Sequence, residues 1–248
     1  MRIIAGEFKN RSVSHPGLKR IRATTEFIRE MVFNIAGPDR IRDAHFLDLF
    51  CGAGSIGLEA LSRGAASCTF VDADFRLIKS LDQLIKEWGL ADRATAIEND
   101  VSKWLANTGA KGNVFDGQAR LFSLIYANPP DYGVNSDKIR NTLGALMAAI
   151  ASAKRLVSTD GVIFLELPRS AICEQPSKSG AASRRTKLKG AADNVAETYF
   201  HQFDKPWPNI MRSLAIPLEF PLLDWRLTSS TAVLILGAHT SEHVREVL

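Results

Sequence analysis

The chain has 248 residues, 46% apolar and 23% charged, with a formal charge of +4. Those proportions are those of an ordinary soluble globular protein, and no apolar run approaches the roughly 20 residues that a membrane-spanning helix needs. Cys51, Cys68 and Cys173 are too few and too scattered for a disulfide framework or a zinc site, the opening MRIIAGEFKNR has no apolar core of a signal peptide, and one cytoplasmic α/β domain with insertions is the expectation.

The charge is unevenly placed. Residues 1–22 hold Arg2, Lys9, Arg11, Lys19, Arg20 and Arg22 against Glu7, six cations to one anion, hence +5, so the rest of the chain is close to neutral. A basic arm before a neutral body points to a polyanionic partner, with RNA or DNA first. A short strand at RIIAGEF is expected within this arm. TTEFIREMVFNIAG (24–37) reads as an amphipathic helix: Thr24 or Thr25 caps it, Ile28, Met31, Val32 and Ile35 recur at helical spacing, and Gly37-Pro38 stops it. AHFLDLF (44–50) is a strand, SIGLEALSRGA (55–65) a helix closed near Gly64, SCTFVDAD (67–74) a strand, and FRLIKSLDQLIKEWG (75–89) a helix again closed by glycine. ATAIEND (94–100) is the third strand, with a short helix VSKWLA after it. ARLFSLIYANPP (119–130) contains the fourth strand, 136–157 a long helix and GVIFLELP (161–168) a fifth strand. LLDWRLTSSTAVLILG (222–237) reads as an antiparallel hairpin at a sheet edge. Strands alternating with helices over 44–168 imply a parallel sheet with helices on both faces. The expected division is an arm and helix over 1–36 and a domain over 37–248, with a polar, basic insertion at about 169–221.

DLFCGAGSIG follows the first strand, and Gly52, Gly54 and Gly57 spell G-x-G-x-x-G between strand and helix, where backbone can approach a ligand. Alone this pattern fits a dinucleotide or another nucleotide-like cofactor. Asp72 ends the next strand, where a carboxylate can accept from both ribose hydroxyls, and Asp100 ends the third, placed for an adenine amino group. Asp48, four residues before Gly52, can face a ligand's ammonium or order the loop. The fourth strand ends in Asn128-Pro129-Pro130, for which a dehydrogenase has no evident use, so S-adenosylmethionine is favoured over NAD.

Ligands in such sheets lie beyond the carboxyl ends of the strands. Asn128 offers a side-chain carbonyl and Pro129 a backbone carbonyl, two acceptors for the N–H groups of one amine. Tyr132 follows, with a ring that can stack on a base. Catalysis here comes from placement, and Asn128, being neutral, orients the acceptor without acting as a strong base. Cys51 reads as a packed residue, and the five histidines form no recognisable metal cluster, so no metal is expected.

MRIIAGEFKNR, IRATTEFIREMVFNIAG, FLDLFCGAGSIGLEALSRGA and the later NPP resemble, in order and spacing, the bacterial RsmD-type methyltransferases. The resemblance covers residues 1 to about 168. It implies a Rossmann-like class I methyltransferase fold: a mostly parallel seven-stranded sheet, helices on both faces and the antiparallel C-terminal hairpin. It further implies S-adenosylmethionine as donor and methylation of a guanine N2 amine in small-subunit ribosomal RNA. Assembling ribosomal particles are the implied setting, and a monomer is expected. Residue by residue, Asp48, Gly52 and Gly54 match the family's cofactor loop, Asp72 its ribose-binding acid and Asp100 its adenine-proximal position, and with Ala53 they form the expected cofactor-binding set. Asn128, Pro129 and Pro130 match its [Asp/Asn]-Pro-Pro. Arg22, Thr24 and Thr25 match an Arg-Pro-Thr-Thr segment near the active site, and Arg2, Lys9, Arg11, Arg20, Arg22 and Thr24 form the expected RNA-contact set. Three features depart from the pattern. Ala23 replaces a proline, Asp131 stands where Phe or Tyr follows Pro-Pro, and 169–221 exceeds the usual connection. Two alternatives remain: another amine acceptor, such as DNA adenine or a protein glutamine amide, or a cofactor-binding RNA module without activity.

Overall fold

The computed structural model describes residues 1–13, 24–111, 114–115, 118–119, 121–130, 156–169, 222–228 and 230–237. The expected helix over 136–157 and the insertion lie outside these residues, except Arg169 and the short run at 156–157.

Seven strands form one sheet. In chain order they are β1 (His45–Leu49), β2 (Ser67–Asp72), β3 (Ala94–Glu98), then, after the short pair β4 (Val114–Phe115) and β5 (Gln118–Ala119), β6 (Phe122–Ala127), β7 (Val157–Pro168), β8 (Leu222–Leu227) and β9 (Thr231–Gly237). Their spatial order is β3-β2-β1-β6-β7-β9-β8. The pairs from β3 across to β7 are parallel. β9 runs antiparallel to β7 and to β8, which makes the C-terminal hairpin the edge of the sheet. The order reverses between β1 and β6, and that switch point is where open α/β sheets bind ligands.

The helices are α1 (Glu26–Ala36), α2 (Pro38–Ile41), α3 (Ser55–Ser62), α4 (Phe75–Glu87) and α5 (Val101–Lys111). Thr25 caps α1 by accepting from the Ile28 N–H, a satisfied first-turn donor. Gly37 ends α1 with φ 75°. Two expected boundaries move. α5 runs on past Asn107 through Gly109, since one glycine costs a helix only about 1 kcal/mol. β7 begins at Val157, four residues before the expected Gly161, because Ser158–Gly161 is an irregularity inside the strand: pairing shifts from Phe122↔Val157 to Leu124↔Val162. β4 and β5 are too short to have carried any periodicity.

Alternation along the strands sorts side chains onto two faces. Phe46, Phe70, Leu124, Tyr126, Phe164 and Ile235 join one hydrophobic cluster with α1, α3 and α4. Leu47, Leu49, Val71, Ile125, Ile163, Leu165 and Leu234 join a second with Val101, Trp104 and Leu105 of α5. Among the described residues no helix is long and apolar enough to cross a membrane.

The first 13 residues pack into the sheet's own core. The expected strand is reduced to a single antiparallel bridge, Arg2↔Ser12, within a turn-closed loop held by Ile3 N–H to Arg11 O and Val13 N–H to Met1 O. Ile3, Phe8 and Val13 are buried in the first cluster, each contributing about 1.5–3 kcal/mol. The loop docks on α3. Glu59, fully buried, accepts from the N–H groups of Ile4 and Ala5 at 2.8 and 3.0 Å and from Arg63 Nε at 2.7 Å. Ser62 O and Oγ accept from Glu7 and Phe8 N–H. Gly6, at φ 86°, lies so close that an added Cβ would sit 1.8 Å from Ser62 O.

Candidate active site

The chain turns sharply after β1. Phe50, Gly52 and Gly54 all have positive φ, at 56°, 56° and 74°, a conformation costly for Phe50 and free for the glycines. Gly54 also heads α3, with no side-chain cap. Two of the three glycines answer to packing. A Cβ on Gly54 would lie 2.7 Å from Leu81 Cδ1, and one on Gly57 would lie 2.3 Å from Phe70 Cε1. They let the loop and α3 close down on β2 and α4.

Two carboxylates hold this loop. Asp72, at the end of β2, accepts from Gly52 N–H through Oδ2 and from Asp74 N–H through Oδ1, both at 2.9 Å. Asp48 is 1% exposed, and its Oδ2 accepts from Gly57 N–H at 2.9 Å. Of its two expected roles, loop ordering is the one the hydrogen bond displays. Burial pushes the Asp48 carboxyl up from its usual 3.8 to about 7, opposed by the Gly57 N–H and reinforced by the charge of Asp72. Ala53 is buried in the first hydrophobic cluster. Asp100 stands two residues beyond the end of β3, where its Oδ1 accepts from Lys103 N–H at 3.0 Å and caps α5. Cys51 and Cys68 are buried, and burial pushes both thiols well up, so neither is poised as a nucleophile.

The Asn-Pro-Pro corner, the expected acceptor side, adjoins the loop directly. Asn128 N–H reaches Leu49 O at 3.4 Å, so the Asn-Pro-Pro corner leaves β6 beside the end of β1. Asn128 is half-buried, Pro129 buried and Pro130 exposed. Beneath Asn128 lies a polar network. Its Nδ2 donates to Thr24 Oγ1 at 3.3 Å, Thr24 Oγ1 donates to Glu166 Oε2 at 2.9 Å, and Tyr126 OH donates to the same Glu166 oxygen. Tyr126 is the register partner of Asp48 and of Phe164, which sets Asn128 level with Glu166 across β6 and β7. Thr24, Tyr126 and Glu166 are 7%, 2% and 4% exposed. Burial, then the neighbouring Glu166 charge, pushes the Tyr126 phenol well up, which keeps it a donor. Buried Arg29 closes the arrangement from α1, donating to Thr24 O at 3.3 Å and to Arg2 O at 3.0 Å.

The structure thus brings Asp48, Gly52, Ala53, Gly54, Asp72 and Asn128 to one rim, with Asp100 at its far end. Thr24 is moved out of the expected RNA-contact set: its side chain is buried under Asn128 and spent on the network. Arg2, Lys9 and Arg11 are exposed on the docked N-terminal loop, with the Arg11 guanidinium 4.9 and 5.4 Å from the Phe8 and Trp88 ring centroids. Arg20, Arg22, Asp131 and Tyr132 lie outside the described residues. The sequence reading missed Tyr126, Glu166 and Glu59. Each is a polar group inside an apolar run (LIYA, FLEL, GLEA), a pattern that flags a buried group with a committed partner.

Comparison with known proteins places this geometry in a family. The family described as Conserved hypothetical protein 95 matches residues 1–193. The chain is similar to YlbH of Bacillus subtilis, at 35% identity over 130 residues that make 52% of this chain and 66% of that protein. It is also similar to ribosomal RNA small subunit methyltransferase D of Escherichia coli K12, at 38% identity over 116 residues, 46% of this chain and 57% of that one. The chain thus spans just under two thirds of the first of these relatives and a little over half of the second. Among solved structures, yhhF of Escherichia coli superposes with a TM-score of 0.65 and 20% identity over 97% of this chain and 99% of that one, a likeness of fold. The sheet order, the loop after β1 and the match over the first 193 residues agree: the chain has the Rossmann-like class I methyltransferase fold and belongs to the Conserved hypothetical protein 95 family, the RsmD type that its opening residues resemble.

Proposed function

We propose that the protein is an S-adenosylmethionine-dependent methyltransferase acting on the exocyclic N2 amine of a guanine in small-subunit ribosomal RNA. The observation that carries this reading is the adjacency of Asn128 to the loop after β1, the corner joined to the end of β1 through Leu49 O. A donor rim and an amine-binding corner share one switch point.

The residues present fit the donor. Asp72 uses one lone pair of each oxygen on backbone N–H groups, which leaves acceptor capacity for two ribose hydroxyls. Asp48 is a buried acid whose shift shows no compensating cation among the described residues, a site that a positively charged ligand suits. Asp100 holds its helix cap through Oδ1, and its other oxygen is the one assigned to an adenine amino group. When bound, S-adenosylmethionine supplies an activated methyl group and its own leaving group.

On the acceptor side, Asn128 Oδ1 and Pro129 O accept the two N–H bonds of the amine and turn its lone pair toward the donor rim. The corner is stiff because two prolines fix its backbone, so acceptor placement is built in before binding. Arg2, Lys9 and Arg11 supply phosphate contacts, joined by Arg20 and Arg22, and Tyr132 stacks on the base. The acceptor in this reading is RNA within an assembling particle, and the working form is a monomer.

Labelled donor offered to undermethylated small-subunit particles, naked RNA, DNA and protein tests it. Transfer to the particles is the expected result. Transfer only to DNA or protein, or donor binding without transfer to any acceptor, overturns it.

A further inference from the structure

The polar network under Asn128 has a direction, and that direction determines which atom the amide shows to the substrate. Thr24 has one hydroxyl proton and lies against three groups: Glu166 Oε2 at 2.9 Å, Tyr126 OH at 3.1 Å and Asn128 Nδ2 at 3.3 Å. Glu166 as a carboxylate can only accept. The Thr24 proton therefore goes toward Glu166, directly or through the Tyr126 oxygen. Either way none is left for Asn128, and the amide must donate to Thr24. An amide that donates with Nδ2 inward presents Oδ1 outward.

From this we infer that Glu166 and Thr24 are positioning residues for methyl transfer: the buried carboxylate polarises the Thr24 hydroxyl, which fixes the Asn128 amide with its oxygen facing the acceptor amine. The inference rests on the proposed role of Asn128. Neither residue touches the reacting atoms. Their work is to remove the flipped amide, whose NH2 would meet the substrate's N–H bonds donor to donor. Without a fixed partner the two amide orientations differ little, and a flipped population is lost to turnover. Burial makes the network decisive, because an unpaired donor or acceptor inside costs far more than one in water. The network also links the Asn128 corner to the N-terminal end of α1 and to β7.

Variants at Thr24 and Glu166, and one measurement without turnover, test this. Thr24→Val removes the hydroxyl at nearly constant shape, and Thr24→Ser keeps it. The expected result is a kcat about 30-fold lower for Thr24→Val with donor KM within about twofold, while Thr24→Ser stays within about threefold of the parent. Glu166→Gln lowers kcat in the parent background and adds less than about twofold to Thr24→Val, because it acts through Thr24. In the parent protein the Asn128 side-chain NH2 resonance, assigned by its loss in Asn128→Ala, is slow to exchange with solvent, and Thr24→Val makes it fast. Equal losses for Thr24→Ser and Thr24→Val, full additivity of Glu166→Gln, or an Asn128 amide that exchanges like an exposed one in the parent overturns the inference. The amide measurement needs only the folded parent chain and no acceptor. A parent that transfers no methyl group to particles would count against the proposed function, while the amide still decides the network's role.

Discussion

The backbone N–H of Gly52 donates to Oδ2 of Asp72 at 2.9 Å, which ties the loop after β1 to the end of β2. One side chain thus shapes the loop and carries the acceptor capacity assigned to the donor's ribose. Asp72→Asn keeps the volume but points an NH2 at either Gly52 N–H or the ribose. The expected outcome is a donor Kd raised about 10- to 100-fold, or roughly 1.4–2.8 kcal/mol, with RNA affinity unchanged. Calorimetric titration of donor and RNA checks this, and a donor Kd within twofold of the parent contradicts it.

Asp48 is expected to make stability and donor binding depend on pH. Its carboxyl is raised from 3.8 to about 7, by burial first. A group whose folded pKa lies above its unfolded one stabilises the fold fully below the unfolded value and loses that contribution as pH rises through the folded one. Stability is therefore expected to decline between about pH 4 and pH 7, and Asp48→Asn to flatten the decline. A cationic donor has the opposite preference, since it favours the ionised acid. Donor affinity should then rise as pH passes about 7 in the parent and not in Asp48→Asn. Thermal melts and donor titrations from pH 5 to 8 check both, and identical profiles for the two proteins would refute the assignment.

Glu59 decides whether the N-terminal loop stays docked. Glu59→Ala strips the acceptor from the N–H groups of Ile4 and Ala5 and from Arg63. The expected loss is about 2–4 kcal/mol, seen as a fall in Tm of roughly 5–15 °C. Amides 4 and 5 should exchange faster than those of the sheet. Gly6→Ala, which sets a Cβ against Ser62 O at positive φ, should release the same loop. A Tm unchanged in both variants would mean that the docking contributes nothing.

Much of the frame was legible because period and punctuation agree. Residues 24–37 show a helical stripe between Thr25 and Gly37, and β1, β2 and β3 are short apolar runs closed by turn residues. The end of the first strand and the Asn-Pro-Pro corner were readable for the same reason: glycines and prolines constrain backbone locally. What escaped was set by distant contacts. Glu59 in GLEA and Glu166 in FLEL look like polar residues on elements whose faces sequence alone does not assign. Their partners lie 55 and 142 residues away in chain order, at Ile4 and Thr24. The basic N-terminus read as an arm because its charge is local, whereas its docking depends on α3. Thr24 read as an RNA contact because the hydroxyl beneath Asn128 finds its use only once β6 and β7 are paired.

Arg11 tests the proposed RNA face. It is exposed, and its guanidinium rests against Phe8 and Trp88, an arrangement that holds a cation in place at a gain of about 0.5–1 kcal/mol. Arg11→Gln is expected to weaken RNA binding and to reduce the slope of log K against log salt by about one unit. Binding measured from 50 to 300 mM salt checks this, with thermal melts to show that the loop remains docked. An unchanged slope would remove Arg11 from the interface.

The proposed reaction is methyl transfer to an amine held by Asn128. The most direct measurement incubates the protein and Asn128→Ala with donor and undermethylated small-subunit particles, digests the RNA and identifies modified nucleosides by mass spectrometry. N2-methylguanosine from the parent, with a yield reduced about 100-fold in Asn128→Ala at unchanged donor affinity, is the predicted result. No N2-methylguanosine from the parent, or an Asn128→Ala protein that methylates as fast, would contradict it.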